Sequence, residues 1–253
     1  MKVIIVGGVA GGATVAARLR RLDEKAQIII FERSGFISYA NCGLPYYIGG
    51  TIKSQSALAL HTPDSFWDEF RIDARIRHEV ILIDRENKRV TVKGLDSEKT
   101  YEESYDKLIL STGAVPIKPM LPGISNSKIY ALRTVEDTLS IREEIINRDM
   151  KSAVVVGGGF IGVEMAENLR ELGMEVSLVE KQNQVLGQLD RDMVSFVHSH
   201  MRAKGINLLL GSGVEGFKEI PSGISVLVEN REPIKADIVI LAMGVMPDSN
   251  LAK

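Results

Sequence analysis

The chain has 253 residues, 45% of them apolar, and a formal net charge of −2. A charge this small excludes the broad basic field of a nucleic-acid-binding protein, and no apolar run reaches the roughly 18 residues of a membrane-spanning helix. The one cysteine excludes a disulfide framework, and the four histidines show no metal-ligand spacing. We therefore expect a cytoplasmic protein of one large or two smaller domains, without a metal.

The chain begins with a strand, a glycine-rich turn, a helix and a second strand. The apolar run 3–6 precedes the turn 7–12, a helical pattern continues through Leu22, and the apolar run 28–31 ends at Glu32. Glycines of this kind allow a tight turn and close helix packing, and the helix N-terminus then attracts a pyrophosphate. A carboxylate at the end of the second strand accepts hydrogen bonds from ribose hydroxyls. This segment is therefore predicted to bind a dinucleotide.

The same arrangement recurs over residues 153–180, and this copy has every glycine of the pattern. In the first copy Val9 replaces the middle glycine, so the backbone there leaves less room for the phosphates. Two copies predict an α/β protein with two Rossmann-like domains and two bound dinucleotides. Glu180 favours NADH because a carboxylate repels a 2′-phosphate, but the neighbouring Lys181 leaves NADPH open.

Between and after these copies, two segments alternate apolar and polar residues. Residues 76–105 do so around a turn at 85–88, which predicts a small antiparallel hairpin, and residues 207–236 show a similar pattern around 221–223. Both are expected to be antiparallel inserts in the α/β domains.

Two further segments combine a buried strand with a tight turn, at 108–116 and 238–248. We interpret each as a crossing between domains. The expected domains are residues 1–115 and 116–244, and residues 245–253 begin the remaining part of the first domain.

Cys42 is the only cysteine and lies in the segment 38–47, which is rich in Asn, Gly and Pro. A lone cysteine is usually a small buried hydrophobe. Its position between two nucleotide-binding turns favours a redox thiol instead. A single thiol cannot form an intramolecular disulfide, so a redox partner of Cys42 must come from outside the chain.

Taken together, the paired turns, the sequence Ser111-Thr112-Gly113 and the run from Ala242 to Pro247 resemble the FAD- and NAD(P)H-dependent pyridine nucleotide-disulfide oxidoreductases. The resemblance covers the whole chain and implies glutathione-reductase-type domains for FAD and NAD(P)H. Cys42 matches the flavin-proximal cysteine of the family's C-x4-C pair, and its partner is absent. The run from Asn41 to Tyr47 is similar to the coenzyme A-disulfide reductase group.

The resemblance assigns site residues by position. Those implied for FAD are Gly7, Gly11, Gly12, Glu32, Arg33, Val80, Ser111, Thr112 and Gly113. Those implied for NAD(P)H are Gly157, Gly159, Phe160, Ile161, Gly162, Glu164, Glu180, Lys181 and Gly244. Within the second set, Phe160 is expected to cover the nicotinamide pocket and Glu164 to lie near the flavin, although both positions are also compatible with ordinary helix packing.

On the first helix, Thr14, Arg18 and Arg21 fall within about 60° of one another, a stripe that fits a phosphorylated ligand. A solvated basic face is the alternative. The neighbouring apolar stripe, formed by Val15, Leu19 and Leu22, is expected to pack inward. The resemblance implies that the polar stripe contacts coenzyme A together with two further residues, Ser38 and Asn41.

The resemblance implies a flavoprotein that passes electrons from NAD(P)H through FAD to Cys42 and on to coenzyme A disulfide, or to a coenzyme A persulfide or polysulfide. One alternative is an NADH oxidase or peroxidase that cycles through a Cys42 sulfenic acid. Another is an inactive, truncated nucleotide-binding module, because the relatives continue beyond Pro247. The resemblance implies that their continuation completes the FAD domain and adds a C-terminal dimerisation domain. We expect neither within these 253 residues, so the homodimer is implied only for the full-length relatives.

Overall fold

A computed structural model describes all residues, 1–253. The chain forms two compact units. Unit 1 comprises residues 1–41, 55–115 and 247–253, and unit 2 comprises residues 42–54 and 116–246. The segment 42–54, which carries Cys42, therefore belongs to unit 2 although it lies inside the range 1–115 assigned from the sequence.

The α-helices have between 5 and 13 residues. None of them combines the length and the apolar character that a membrane-spanning helix needs. They are α1 (Ala10–Leu22), α2 (Leu44–Ile48), α3 (Pro63–Phe70), α4 (Val135–Asn147), α5 (Phe160–Glu171) and α6 (Arg191–Ala203). Three single 3-10 turns add to these at Asn41–Gly43, Gln55–Leu58 and Asn250–Ala252.

The strands form two parallel sheets and smaller antiparallel ones. They are β1 (Lys2–Val6), β2 (Gln27–Glu32), β3 (Asp73–Ile76), β4 (His78–Asp84), β5 (Arg89–Gly94), β6 (Thr100–Ser104), β7 (Lys107–Leu110), β8 (Ala114–Pro116), β9 (Ile129–Ala131), β10 (Ser152–Val156), β11 (Glu175–Glu180), β12 (Asn207–Leu210), β13 (Val214–Ile220), β14 (Gly223–Val228), β15 (Ile234–Ala236), β16 (Ile238–Leu241) and β17 (Val245–Pro247).

Unit 1 contains a parallel sheet in the order β3-β2-β1-β7. Its central strands are apolar on both faces, as expected for a parallel sheet covered on both sides. Ile5 and Ile30 pack with Ala16 of α1 on one face, whereas Ile4 and Phe31 pack on the other face with the antiparallel sheet. That second sheet has three strands in the order β4-β5-β6. The two-stranded hairpin predicted over 76–105 therefore missed one strand.

Unit 2 repeats this plan with the order β12-β11-β10-β16-β9. Its antiparallel sheet is β13-β14-β15, and β13 and β14 are joined at 221–222. The prediction for 207–236 was wrong at its start, because β12 pairs in parallel with β11. β9 is an additional edge strand next to β16.

In both units an aspartate binds the start of the strand that leads into the glycine-rich turn. Asp106 directly precedes β7 and accepts a hydrogen bond from the backbone N–H of Lys2 (2.6 Å). Asp237 directly precedes β16 and accepts from the N–H groups of Lys151 (2.8 Å) and Ser152 (2.9 Å). The internal repeat therefore extends from the glycine-rich turns to the opposite end of each sheet, and the predicted α/β fold with two Rossmann-like sheets is confirmed.

Candidate dinucleotide sites and the Cys42 segment

In unit 2 the first and last glycines of the turn are required by the fold. Gly157 has φ +110°, and a Cβ there would lie 2.3 Å from the carbonyl oxygen of Ala242. A Cβ on Gly162 would lie 1.9 Å from the carbonyl oxygen of Gly157. Because both obstacles are backbone atoms, no side chain fits without moving β10, α5 or the turn after β16.

The middle glycine, Gly159, has a different reason to be a glycine. It has φ −72°, an ordinary value, and a Cβ there would meet no atom within 4 Å. Neither backbone conformation nor packing in the protein therefore requires a glycine. The open space at Gly159 suits a ligand that approaches the backbone closely.

The start of α5 is also open to a ligand. Gly159 provides no side-chain cap, whereas α4 begins with a capping box formed by Thr134 and Asp137. The first N–H groups of an uncapped helix have no partner within the helix and carry partial positive charge. The N-terminus of α5 is thus suited to an anion such as a pyrophosphate.

These groups border a cleft of about 990 Å³ in unit 2. Glu180, at the end of β11, accepts hydrogen bonds from the N–H of Gly158 on one carboxylate oxygen (2.6 Å) and from the N–H of Gln182 on the other (2.7 Å). The two bonds fix the carboxylate and leave lone pairs free for a hydroxyl group.

Most of the residues predicted for NAD(P)H lie along this cleft, namely Gly157, Gly159, Phe160, Ile161, Glu180, Lys181 and Gly244. Phe160 is 56% exposed, so its ring is not part of the packed core. Gly162 is buried behind the turn, and Glu164 lies farther along α5 and does not line the cleft.

His198, to which the sequence gave no role, supports a loop beside the cleft. Its Nε2 accepts a hydrogen bond from the backbone N–H of Val185 (3.2 Å), and the neighbouring residues Gln184 and Leu186 line the cleft. Burial, with the nearby Arg202 contributing, lowers the pKa of His198, which favours the neutral ring that this bond requires. Only the tertiary structure pairs α6 with this loop.

Unit 1 has an equivalent turn with one difference. Gly7 has φ +98°, and a Cβ there would lie 2.1 Å from the carbonyl oxygen of Ser111; a Cβ on Gly12 would lie 1.8 Å from the carbonyl oxygen of Gly7. Gly11 is less constrained, because its Cβ would approach only the hydroxyl oxygen of Ser111, to 2.5 Å, and that side chain can rotate away. Val9 stands at the start of α1 and, like Gly159, provides no side-chain cap.

Glu32 occupies the position that Glu180 has in unit 2. Its two oxygens accept from the N–H groups of Gly8 (2.8 Å) and Ser34 (2.8 Å), and the residue is buried. The carboxylates predicted to bind ribose therefore also hold their own turns together, which is a role that spacing alone did not indicate.

The remaining residues predicted for FAD lie either next to the C-terminal segment or in the core of unit 1. The Ser111–Gly113 turn is bound by the C-terminal segment: the Thr112 hydroxyl donates to the carbonyl oxygen of Asp248, and Gly113 accepts from its N–H (3.0 Å). Arg33 pairs with the Asp248 carboxylate at 3.0 Å. Val80 is buried in the core between the parallel and antiparallel sheets of unit 1, so its side chain serves packing.

Helix α1 exposes the three residues predicted for coenzyme A. Thr14, Arg18 and Arg21 are all exposed, and neither arginine forms an ion pair. Arg20 differs, because its guanidinium donates to several backbone carbonyls, including that of Phe70 (2.7 Å). The expectation that Leu22 packs inward was wrong, since it is 66% exposed near the end of the helix.

The two other residues predicted for coenzyme A are less accessible. Ser38 is buried and has a left-handed backbone (φ 44°), held by a hydrogen bond from its N–H to the carbonyl oxygen of Gly8 (2.9 Å). Asn41 is half-buried and begins the 3-10 turn that contains Cys42.

Cys42 is exposed and is not part of any hydrophobic core. Its 3-10 turn continues without a break into α2, which includes Tyr46. Burial, and then the charge of Glu164, raise the pKa of Tyr46, so its hydroxyl stays protonated over a wide pH range. Burial and the neighbouring Glu167 likewise raise the pKa of Glu164.

The fold and the paired glycine-rich turns define an α/β protein with two Rossmann-like units, each with a turn of the kind that binds dinucleotides. The sequence model of the pyridine nucleotide-disulphide oxidoreductase family matches residues 1–253, and the chain belongs to this family.

Among curated relatives, the chain is 36% identical over 253 residues to the coenzyme A disulfide reductase of Staphylococcus epidermidis, covering 100% of this chain and 56% of that protein. The crystal structure of reduced CoADR-RHD from Bacillus anthracis is 47% identical with a TM-score of 0.96, over 99% of this chain and 45% of that one. The water-forming NADH oxidase from Lactobacillus brevis bound to NADH is 28% identical with a TM-score of 0.93, over 99% and 55%. The chain thus spans about half the length of these proteins.

Proposed function

We propose that this protein takes part in the NAD(P)H- and FAD-dependent reduction of coenzyme A disulfide, or of a coenzyme A persulfide or polysulfide, with Cys42 as the reacting thiol. The observation that carries the proposal is an exposed single cysteine in a chain with two dinucleotide-binding turns. Similarity to the coenzyme A disulfide reductase of Staphylococcus epidermidis supports the choice of substrate.

In this proposal unit 2 binds the nicotinamide dinucleotide. The amide groups at the start of α5 bind the pyrophosphate beside Gly159, and Glu180 accepts hydrogen bonds from a ribose. Phe160 covers the nicotinamide end of the cleft, and Glu164 lies close to the flavin. The fixed carboxylate of Glu180 disfavours a 2′-phosphate, which supports NADH, whereas the exposed Lys181 in the same cleft is compatible with NADPH.

Unit 1 binds FAD through the turn of Gly7, Gly11 and Gly12, with Glu32 towards the ribose and Ser111 to Gly113 next to the dinucleotide. When bound, a flavin accepts two electrons from a reduced nicotinamide and passes them to a sulfur atom. The residues of unit 1 fit the adenine-nucleotide part of this group, because the free start of α1 and the carboxylate of Glu32 repeat the arrangement of unit 2.

Cys42 alternates between a thiolate and a mixed disulfide. The thiolate attacks one sulfur of coenzyme A disulfide, forms the Cys42–coenzyme A disulfide and releases one coenzyme A thiolate. Two electrons and a proton then break this bond and give a second coenzyme A thiol and the Cys42 thiolate. Exposure of Cys42 supports this role, since attack on a disulfide requires access to the sulfur.

The phosphate groups of coenzyme A are bound on unit 1 by Thr14, Arg18 and Arg21, with Ser38 and Asn41 as additional contacts. Support comes from the two exposed arginines, whose guanidinium groups are not used by other side chains. Guanidinium groups bind phosphate oxygens in a bidentate geometry.

The intact mass and the activity of Cys42→Ser test this proposal. Purified protein is expected to carry one coenzyme A that a reductant removes, and the variant is expected to lose both this adduct and the NADH-dependent release of thiol from coenzyme A disulfide. A Cys42→Ser variant that still reduces coenzyme A disulfide would falsify the role of the thiol.

A second candidate is an NADH oxidase or peroxidase that uses a Cys42 sulfenic acid. The similarity to the Lactobacillus brevis oxidase favours it, and an exposed thiol is also the kind that oxidises. It predicts an oxygen adduct on Cys42 in place of coenzyme A, with rapid consumption of oxygen or peroxide. A colourless protein without any adduct would instead indicate a nucleotide-binding module without redox activity.

A further inference from the structure

The short helix α2, which directly follows the Cys42 turn, is held by two helices of unit 2, α4 and α5. A five-residue helix has little stability of its own, because nucleation costs more than so few hydrogen bonds return. The position of α2, and of the turn that continues into it, therefore depends on these neighbours.

Arg142 of α4 binds the end of α2. Its guanidinium donates to the backbone carbonyl oxygens of Tyr47 and Ile48 (2.9 Å for Ile48), and its Cζ lies 5.0 Å from the centre of the Tyr47 ring. The last carbonyl groups of a helix have no partner within the helix and carry partial negative charge. A planar guanidinium satisfies two of them and stacks on the ring, which a lysine ammonium does less well.

Asn168 of α5 contacts the next residue, Gly49. A Cβ on Gly49 would lie 2.3 Å from Oδ1 of Asn168 and 2.8 Å from its Cβ, although Gly49 has an ordinary φ of −69°. Asn168 is 1% exposed, its Nδ2 donates to the carbonyl oxygen of Glu164, and its Oδ1 has no conventional partner. The oxygen is placed to contact the Cα–H of Gly49, so only a glycine allows α2 to approach α5 this closely.

We propose that Arg142 is a positioning residue for the thiol: by binding the end of α2, with the Gly49–Asn168 contact as a second support, it holds the Cys42 turn in place on unit 2. This proposal rests on the proposed function, since it matters for turnover only if Cys42 reacts. Arg142 itself binds neither the nucleotide cleft nor Cys42. Small displacements of a reacting group cost much of its rate, so a loosened turn is expected to slow the reaction.

The test compares Arg142→Met with Arg148→Met. Arg148 directly follows the same helix, and its guanidinium pairs with Glu144 of that helix and not with α2. In Arg142→Met the amide protons of Gly49, Gly50 and Ile52, which are bonded to carbonyls of α2, are expected to exchange at least about tenfold faster. With NADH and coenzyme A disulfide, kcat is expected to fall about tenfold, with the KM for NADH unchanged. Arg148→Met is expected to behave as the unsubstituted protein, and Arg142→Lys to lie between the two.

Binding of NADH and alkylation of Cys42 by iodoacetamide show that each variant is folded and keeps its thiol. Unchanged amide exchange and kcat in Arg142→Met overturn the proposal, as does an equal loss in Arg148→Met. A raised KM for NADH at unchanged kcat also overturns it, because Arg142 then acts on the nucleotide cleft. Failure of the proposed function is a separate result, since it appears as continued reduction of coenzyme A disulfide by Cys42→Ser, while the exchange rates still decide whether Arg142 holds the turn.

Discussion

The two glycine-rich turns have the same surroundings but differ at the middle position. In each, neighbouring backbone atoms leave no room for a side chain at the first and last glycines. In each, a buried or half-buried glutamate also accepts hydrogen bonds from two backbone N–H groups of its own unit. At the middle position unit 1 has Val9, whereas unit 2 has Gly159 beside open space. Glycines in one motif therefore serve two purposes: those at the ends are needed for the fold, and the middle one is needed only if a ligand binds.

The largest effect on the free energy of unfolding is expected at the last glycine of each turn, a position that both units share. Gly12→Ala and Gly162→Ala each place a Cβ within 2 Å of a backbone carbonyl oxygen, at 1.8 Å and 1.9 Å. Each is expected to lower the free energy of unfolding by about 3 kcal/mol, because a rigid core accommodates an added methyl group only by shifting the backbone. Denaturant unfolding of both variants measures this, and a marked difference between them would show that the two turns are not equivalent.

Gly159→Ala separates ligand binding from folding. No protein atom lies within 4 Å of the added Cβ, so the free energy of unfolding without ligand is expected to stay the same. The methyl group does occupy the space next to the proposed pyrophosphate, and the Kd for NADH is expected to rise at least about tenfold, or 1.4 kcal/mol. Fluorescence titration with NADH measures it. Unchanged affinity would mean that the dinucleotide does not pass over Gly159.

A smaller effect is expected for Glu180→Gln. The amide keeps one acceptor oxygen for Gly158 or Gln182 but removes the charge that repels a 2′-phosphate. NADH affinity is expected to fall about fivefold, or roughly 1 kcal/mol, while NADPH affinity changes less. Parallel titrations with both nucleotides check the ratio. An equal loss for both would assign Glu180 to the turn alone. The matched variant Glu32→Gln changes the turn of unit 1 and is expected to leave the affinity for both nicotinamide dinucleotides unchanged.

The smallest effect on the free energy of unfolding is expected for Asp106 and Asp237, which lie at the ends of the sheets opposite the glycine-rich turns. Burial opposes ionisation of Asp237, but hydrogen bonds from the Lys151 and Ser152 N–H groups outweigh it and lower its pKa. A carboxylate with a lowered pKa in the folded protein stabilises it above the ordinary value of about 4 and loses this contribution as the pH falls through the folded pKa.

Asp237→Asn is therefore expected to lower the free energy of unfolding by less than about 1 kcal/mol at pH 7. This loss is expected to become smaller below about pH 4. Denaturant unfolding at both pH values measures it. A cost that is the same at both pH values would show that the charge of Asp237 is not what stabilises the strand end. Asp106→Asn, which loses a single backbone contact, is the matched variant in unit 1.

Local pattern was sufficient for much of the fold. The strands on either side of both turns, and the ends of both helices, were predicted to within one residue, because apolar runs are properties of neighbouring residues. Both helices begin three residues earlier than predicted, inside the glycine-rich turns. The sequence pattern did not predict which strands pair when the partners are far apart in the sequence. Residues 207–210 were assigned to the antiparallel insert, yet they form a strand of the parallel sheet. The third strand of the unit 1 insert has too few apolar residues to be recognised.

By itself, the sequence determined the class of fold and the two glycine-rich turns, and it identified Cys42 as the candidate reactive thiol. Only the tertiary structure showed that the segment carrying Cys42 packs in unit 2 with Arg142 and Asn168, and that the glutamates predicted for ribose also hold their turns together. The physical reason is distance along the chain. Turn chemistry depends on adjacent residues, whereas Arg142 meets Ile48 across 94 positions, and such a contact forms only when the whole unit has folded.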